Sequence, residues 1–329
     1  FRTATEQLIL ADGTSVEARV LTVGGAGENG AGLDAFVGLN ADKYRATPTT
    51  DDGEIGLALS DVEFGLMLAT PEGDQPGINP LGWTALKATA GSVGVVGIPS
   101  LTLEVQDAAV AINLVNGVPD DEDAAGRVID FAAQSLDVLT GTGTSLKLDM
   151  DGDQGELLRL SGDVTIAIDD FFHVSGNVAF ERSRADVTLV NTDTTSDTTT
   201  VQSLTIGGTG LNAFIGLNGP YRDQNGDPRP AAKGFAVSDV EFGVALLSEV
   251  DGSGDFTGRE WTAAKASVGT VDGPVGLPEL IEITPSKLAL EVNLASTDGT
   301  VVDFSANADT DKAFKVVTGT GTSLTLESD

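Results

Sequence analysis

The sequence predicts an all-β protein made of tandem antiparallel modules, and three observations carry that expectation. Apolar and polar residues alternate with period two through most of the chain. The breaks between such runs are Gly, Asn and Asp pairs of the kind that close hairpins. Long blocks of sequence also recur once at a fixed separation, which marks repeated structural units.

In "KLALEVNLA", Leu288, Leu290, Val292 and Leu294 share one parity, as do Val110, Ile112 and Leu114 in the matching stretch. A helix would space them by three and four, so these segments read as strands with one apolar face. Val164, Ile166 and Ile168 follow the same rule, as do Val187 with Leu189 and Leu324 with Leu326. "ADGTS" around Asp12 and Gly13 is a hairpin signal between Leu8–Leu10 and Val16. Its counterpart is the long polar stretch Asn191–Thr200, as expected at a solvent-exposed tip where length is free to vary. Only "DAAGRVIDFAAQSL", from Asp123 to Leu136, has helical character, and its partner "DGTVVDFSANA" reads as strand.

The repeat itself is explicit. "SDVEFG" stands at Ser60–Gly65 and again at Ser238–Gly243, 178 positions later. At the same offset "GLDAFVGLN" (Gly32–Asn40) returns as "GLNAFIGLN" (Gly210–Asn218), "WTALKA" (Trp83–Ala88) as "WTAAKA" (Trp261–Ala266), and "TGTGTSL" at Thr140 and Thr318. "VIDF" ending at Phe131 returns as "VVDF" ending at Phe304. Phe1 matches Phe180 and Asp329 matches Asp151, which predicts one β module over 1–179 and a second over 180–329 that lacks a counterpart of 152–179. That unmatched segment holds "LSGDVTIAI" and "VSGNVAF", spaced as two strands of a hairpin across "DDFFH". A cut inside the period, in a chain that opens "FRTATEQLIL" without Met, leads us to expect flanking copies in a long array. A sandwich or rolled sheet per module is the first expectation; a continuous elongated sheet, or solenoid-like array, running through both copies is the alternative.

Composition narrows the role. With 50 acidic and 18 basic residues the net charge is −32, so nucleic acid is repelled. The absence of cysteine excludes disulfides, thiolate metal sites and a cysteine nucleophile. No apolar run reaches the ~18 residues of a membrane-spanning helix, so no membrane insertion is expected. Acidic surplus suits a chain outside the cell, secreted or on the cell surface, that stays soluble in salt or gathers divalent cations.

Calcium is the cofactor that this acidity suggests. "DMDGDQGE" sets Asp149, Asp151 and Asp153 at alternate positions with Glu156 behind them, although glycine falls fourth rather than sixth. Asp251, Ser253, Asp255 and Glu260 form a second candidate loop, and Asp223, Asn225 and Asp227 a third. Within "GLALSDVEFGLML" the apolar parity changes between Ser60 and Asp61, and the second copy repeats the change. Such a switch inside a strand predicts a β-bulge or corner. Asp61 and Glu63 are then free to face a cation or a lysine such as Lys87, and Asp239 and Glu241 likewise with Lys265.

For catalysis the inventory is poor. His173 is the only histidine, no serine lies in a "GxSxG" setting, and the glycines of "TGTGT" lack the strand-to-helix context of a phosphate loop. Trp83 and Trp261 are the candidate platforms for stacking a surface glycan, although a structural role is the readier reading of a tryptophan at matching positions in both copies.

The blocks "SDVEFGLML", "GWTALKATAGSVGVVGI", "TGTGTSLKLD" and "FFHVSGNVAFERS" resemble repeats of very large, acidic, repetitive extracellular or cell-surface proteins of bacteria, of the adhesin, matrix or filament type. The resemblance spans nearly the whole chain and implies an architectural role with no catalytic residues. We therefore expect a structural repeat segment of a fibre, surface adhesin or matrix protein, not an enzyme. Its partners would be neighbouring copies of the same repeat, in cis or by homo-polymerisation. A carbohydrate-binding module is the alternative, and a polysaccharide-active enzyme with two converging carboxylates a further one.

Overall fold

A computed structural model describes residues 1–27, 32–40, 54–73, 82–117, 127–191, 195–223, 226–252, 254–276, 288–307 and 313–327. The first copy contributes β1 (Arg2–Ile9), β2 (Ser15–Gly25), β3 (Leu33–Leu39), β4 (Ile55–Pro71), β5 (Gly82–Val96) and β6 (Leu101–Asn116), then the short strands β7 (Leu136–Gly141) and β8 (Thr144–Leu148). β9 (Leu157–Ile168) and β10 (Phe172–Val190) follow. The second copy continues with β11 (Ser196–Leu217), β12 (Lys233–Val250), β13 (Phe256–Val275) and β14 (Leu288–Leu294). It ends in β15 (Val301–Val302), β16 (Lys315–Gly319) and β17 (Thr322–Thr325). The only helical elements described are single 3-10 turns at Gly152–Gln154 and Ser305–Asn307.

The fold is all-β, as the alternation predicts. One antiparallel sheet of 13 strands runs in the order β1-β2-β4-β5-β6-β9-β10-β11-β12-β13-β14, with β3 added to β4 and β15 to β10, and it does not close into a barrel. The continuous sheet is thus the architecture formed, in place of two separate sandwiches. The reason lies in the segment without a counterpart: β9 and β10 form the expected hairpin, β9 pairs with β6 of the first copy, and β10 pairs with β11 of the second. Strand β10 crosses the 179/180 boundary without interruption. No α-helix forms over the described residues 127–136, as the strand-like partner implied, and Ile129 bridges to Leu10; residues 123–126 lie outside the described residues.

One face of the sheet is covered. In the first copy Val16, Ala18, Val20, Met67, Trp83 and Ala85 pack beneath the β7–β8 hairpin and the Val128–Phe131 segment. In the second, Val201, Ala245, Leu247, Trp261 and Ala263 pack beneath β15, Phe304 and β16. Each large side chain so buried contributes about 1.5–3 kcal/mol relative to exposure. Both hairpins lie so close to the sheet that only glycine fits below them. A Cβ at Gly24 would meet the Leu139 carbonyl at 2.3 Å and one at Gly65 the Val138 Cβ at 3.1 Å; Gly207 and Gly243 repeat both contacts with Val317 and Val316. The hairpin turns carry Gly143 and Gly321 at φ 78° and 75°, and inside each turn two threonine hydroxyls are bonded, Thr140 to Thr144 and Thr318 to Thr322. The shared "TGTGTSL" and the glycine of "SDVEFG" are therefore two sides of one contact.

The other face is apolar along its central row. Ladder pairing places Phe64, Ala88, Val110, Leu160, Phe180, Ile206, Val244, Ala264 and Val292 in one row over nine strands. Further along the strands, Val105, Val164, Ile166, Val174 and Ile168 continue the same face, because β9 and β10 stay in regular register across the sheet. In β4 and β12 that continuity requires the expected change of parity. It occurs at Asp61 and Asp239, both at φ 56°, with companions at Asp107 (φ 49°), Gly176 (φ 143°) and Gly210 (φ 61°) on neighbouring strands.

The left-handed conformation at Asp61 and Asp239 is tolerated by aspartate and refused by β-branched residues. Asp239→Val should lower the unfolding free energy by about 1–2 kcal/mol, while Asp239→Gly should change it by less than about 1 kcal/mol, as read by urea denaturation. Equal costs for the two would refute the backbone assignment.

Candidate functional site

The predicted acidic loops are held by their own backbone. Asp251 and Asp223 each accept the amide of the residue four positions on, Asp255 and Asp227, at 3.0 Å, and each turn is closed by the reciprocal amide bonds to Asp255 and Asp227 carbonyls. Ser253 and Asn225 lie outside the described residues. In the first loop Asp151 caps the 3-10 turn by accepting the Asp153 amide at 2.9 Å, Asp149 pairs with Lys87 at 2.7 Å, and Glu156 accepts the Val115 amide at 3.3 Å. Glu260 lies in β13 opposite Ser248, one strand away from the turn that carries Asp251. Among the described residues no three His, Cys, Asp or Glu side chains come together as a cation cage.

The lysines have partners other than those expected. Lys87 takes Asp149, and Lys265 takes Glu327 at 3.1 Å and Glu291 at 3.6 Å. Glu63 accepts the Thr140 hydroxyl at 2.9 Å, so it holds down the β7–β8 hairpin. The Asp61 side chain lies over Gly91, where an added Cβ would approach its Cβ to 2.9 Å, and Asp239 lies over Gly269 in the same way. A groove of about 460 Å³ runs past Asp61, Asp107, Asp163, Asn177 and Thr320, with its carboxylates on three different strands.

Trp83 and Trp261 are 1% and 2% exposed, and their indole N–H groups donate to the Arg127 and Thr300 carbonyls at 2.6 and 3.0 Å. Neither ring face is open to a sugar. They pin the "VIDF" and "VVDF" segments over the sheet, helped by Asn113 and Asn293, whose amides donate to Ile129 and Val302 carbonyls.

Two clusters were not foreseen. The first is a pocket of about 280 Å³ lined by His173, Asn212, Phe214, Tyr221, Arg222 and Ser238. Burial, reinforced by nearby Arg229, lowers the His173 pKa and favours its neutral form, against a smaller opposing effect of Asp170. The Ser238 hydroxyl donates to Asp272 at 2.6 Å, and Arg222 donates to the other Asp272 oxygen at 2.8 Å. Ser238 thus gives its proton to a carboxylate already held by arginine, an arrangement that braces the loop and does not activate a nucleophile. Asp272 is an extra residue at a bulge: Ala236 and Val237 pair with Gly273 and Val271 around it, where Ala58 and Leu59 of the first copy pair with Gly94 and Val93 without a break.

The second cluster is the junction between copies. Arg159 of β9 pairs with Glu181 of β10 at 2.5 Å, and the same carboxylate accepts the Ser183 hydroxyl at 2.9 Å. On the covered face this polar pair lies between the two hydrophobic cores, opposite Ala111 on one side and Thr205 on the other. Beyond the junction, Glu249 is 5% exposed and is gripped by both Nε and Nη2 of Arg259 and by the hydroxyls of Thr199 and Thr257. Those bonds, the Arg259 one foremost, outweigh burial and hold its pKa at about 2. Proline stands in this place in the first copy, Pro71 being paired with Ala18 as Glu249 is with Val201.

No protein-family model, no curated protein and no solved structure matches this chain.

Two predictions follow from these bonds. Asp251→Ala should cost about 0.5–1.5 kcal/mol of stability through loss of its turn bond, by the same amount in excess chelator and in millimolar calcium; an increment that appears only with calcium would make the loop a metal site. Because the folded pKa of Glu249 lies below its usual value, its stabilisation is full above about pH 5 and fades as pH falls toward 2. Glu249→Gln should therefore lose about 2–4 kcal/mol at pH 7 and show a flatter stability profile between pH 5 and 2 than the native chain, as followed by thermal melts.

Proposed function

We propose that the chain is a structural repeat segment of a large bacterial extracellular fibre, surface adhesin or matrix protein, and that its task is to extend one sheet from copy to copy without catalysis. The observation that supports this most is the β9–β10 hairpin, which makes the sheet of one copy an unbroken continuation of the other. Each repeated motif is also accounted for by packing: the glycines by the hairpins above them, the tryptophans by their clamps, the aspartates by the parity change. In the motif "AFxG", Phe36 lies over the glycine pair Gly38 and Gly56, and Phe214 lies over Gly216, which is paired with Gly234. A repeat that uses its shared residues in this way preserves shape.

Neighbouring copies are the partners that this reading names. Strand β14 corresponds to β6, and among the described residues its ladder is formed with β13 alone, whereas β6 also pairs with β9. Its outer edge therefore presents backbone amides and carbonyls at the place where β9 joins the first copy. The carbohydrate-binding reading has lost its platform, since both tryptophans are interior.

Each period adds six strands to the path, β9 through β14, hence about 29 Å of length at about 4.8 Å per strand. A chain lengthened by one more copy of residues 152–329 after Asp329 should grow by about that amount in small-angle scattering and behave as a rigid rod. Copies that tumble as independent beads on flexible joints would overturn the proposal.

A further inference from the structure

The apolar face of the sheet calls for a cover. Along it Leu160, Ile168, Ile206 and Leu246 are 41%, 49%, 38% and 42% exposed, and Ile215 is 63% exposed, while the core beneath the hairpins on the opposite face falls to 0–3%. In a chain with 50 acidic residues, the row through Phe64, Leu160 and Ile206 contains no charged side chain over nine strands. Charge enters the face at Arg182, between Leu158 and Leu204 in the next row, and beyond it at the margin, where Arg184 and Asp186 of β10 and Glu260 of β13 lie. An apolar centre with a polar rim is the anatomy of a protein interface.

We infer that this face binds the same face of a second copy, sheet upon sheet. Nine strands about 4.8 Å apart, over about ten residues of about 3.3 Å each, present on the order of 1,400 Å². A stable interface needs about 800 Å² from each partner. The face has the form that sheet stacking requires: Leu, Val, Ile and Phe in straight rows, able to interdigitate with an equivalent face about 10 Å away at a shallow angle. A two-fold axis brings like rows together, so self-complementarity asks nothing further of the sequence. The alternatives fit less well. An acidic chain of net charge −32 is repelled from anionic lipid, and Arg182 is the one charged group that the two central rows offer a heterologous partner for recognition. The inference does not depend on the edge-to-edge extension proposed above, because it concerns a face and not an edge.

Sedimentation equilibrium of the 329-residue chain should give a species of twice its 33.6 kDa mass. The double variant Leu160→Asp/Ile206→Asp should be monomeric with unchanged far-ultraviolet circular dichroism. Since the chain has no cysteine, a nitroxide attached to Ile206→Cys gives a second readout that leaves the rest of the face intact, and it should show dipolar coupling between copies that disappears on dilution. A native chain that stays monomeric at tens of micromolar would overturn the inference, as would monomers that float with neutral phosphatidylcholine vesicles. Association that survives the double variant but is abolished by Glu291→Pro, which blocks the β14 edge, would place the contact at the edge and also overturn it.

Discussion

The structure depends on keeping apolar side chains on one face along strands of 15 to 22 residues. A pleated strand alternates its faces without exception, so any extra residue would turn the remainder of the strand inside out. Here the correction is made by residues in left-handed conformation at one level of the sheet, Asp61 and Asp107 in the first copy and Gly210 and Asp239 in the second, while β9 and β10 between them keep a single parity. Because neighbouring strands adjust at the same level, their ladders resume pairing on either side. The result is a long two-faced sheet in which covering hairpins, cores and open apolar rows all keep their places.

From that constraint follows the division of labour between faces. The covered face needs glycine wherever a hairpin crosses it, and the two copies supply it at matching positions: Gly24 and Gly65 under β7–β8, Gly207 and Gly243 under β16–β17. It also needs anchors for the irregular segments, which the buried tryptophans and Asn113 and Asn293 provide. Between the two cores the same face turns polar at Arg159, Glu181 and Ser183, so the copies share a sheet without sharing a hydrophobic core. Strands therefore transmit continuity while each copy keeps its own packing.

Much of this was legible in the sequence, for reasons that can be named. Parity is a local property, so the corner at Asp61, the hairpin across Asp169–Phe171 and the turn at Gly13 could be read directly from residue order. Continuity of the sheet could not, since the partner of β6 is decided by which edge β9 meets after an excursion through β7 and β8 that itself leaves the sheet. A structural Trp83 is the readier reading of the sequence and the one the structure bears out, but sequence gives no depth, and only the Val128–Phe131 segment folded over it shows what covers the ring. The acidic loops had the composition of cation sites, but spacing does not tell a carboxylate aimed at an ion from one that closes its own turn, as Asp223 and Asp251 do. The Arg222–Asp272–Ser238 and Arg259–Glu249 clusters escaped because they belong to one copy alone, and the eye drawn to what repeats passes over what differs.

Those differences bear on how a repeat can vary without losing its form. The first copy has Pro71 where the second has Glu249, and the second carries Asp272 as an extra residue at a bulge that the first lacks; both differences lie toward the ends of strands and not in the central row that crosses the sheet. The hairpin tips Leu10–Thr14 and Asn191–Thr195 are equal in length, and the polar stretch expected as an insertion at the tip instead lengthens the ladder, Ser196–Thr200 pairing with Asp186–Val190. The polar residues that make one copy chemically distinct are thus placed where the ladder ends, and the residues that make the copies interchangeable are placed where it continues. A sheet extended strand by strand tolerates variation at its margins because its length is set by backbone pairing, whereas its two faces are fixed by side chains that no margin touches.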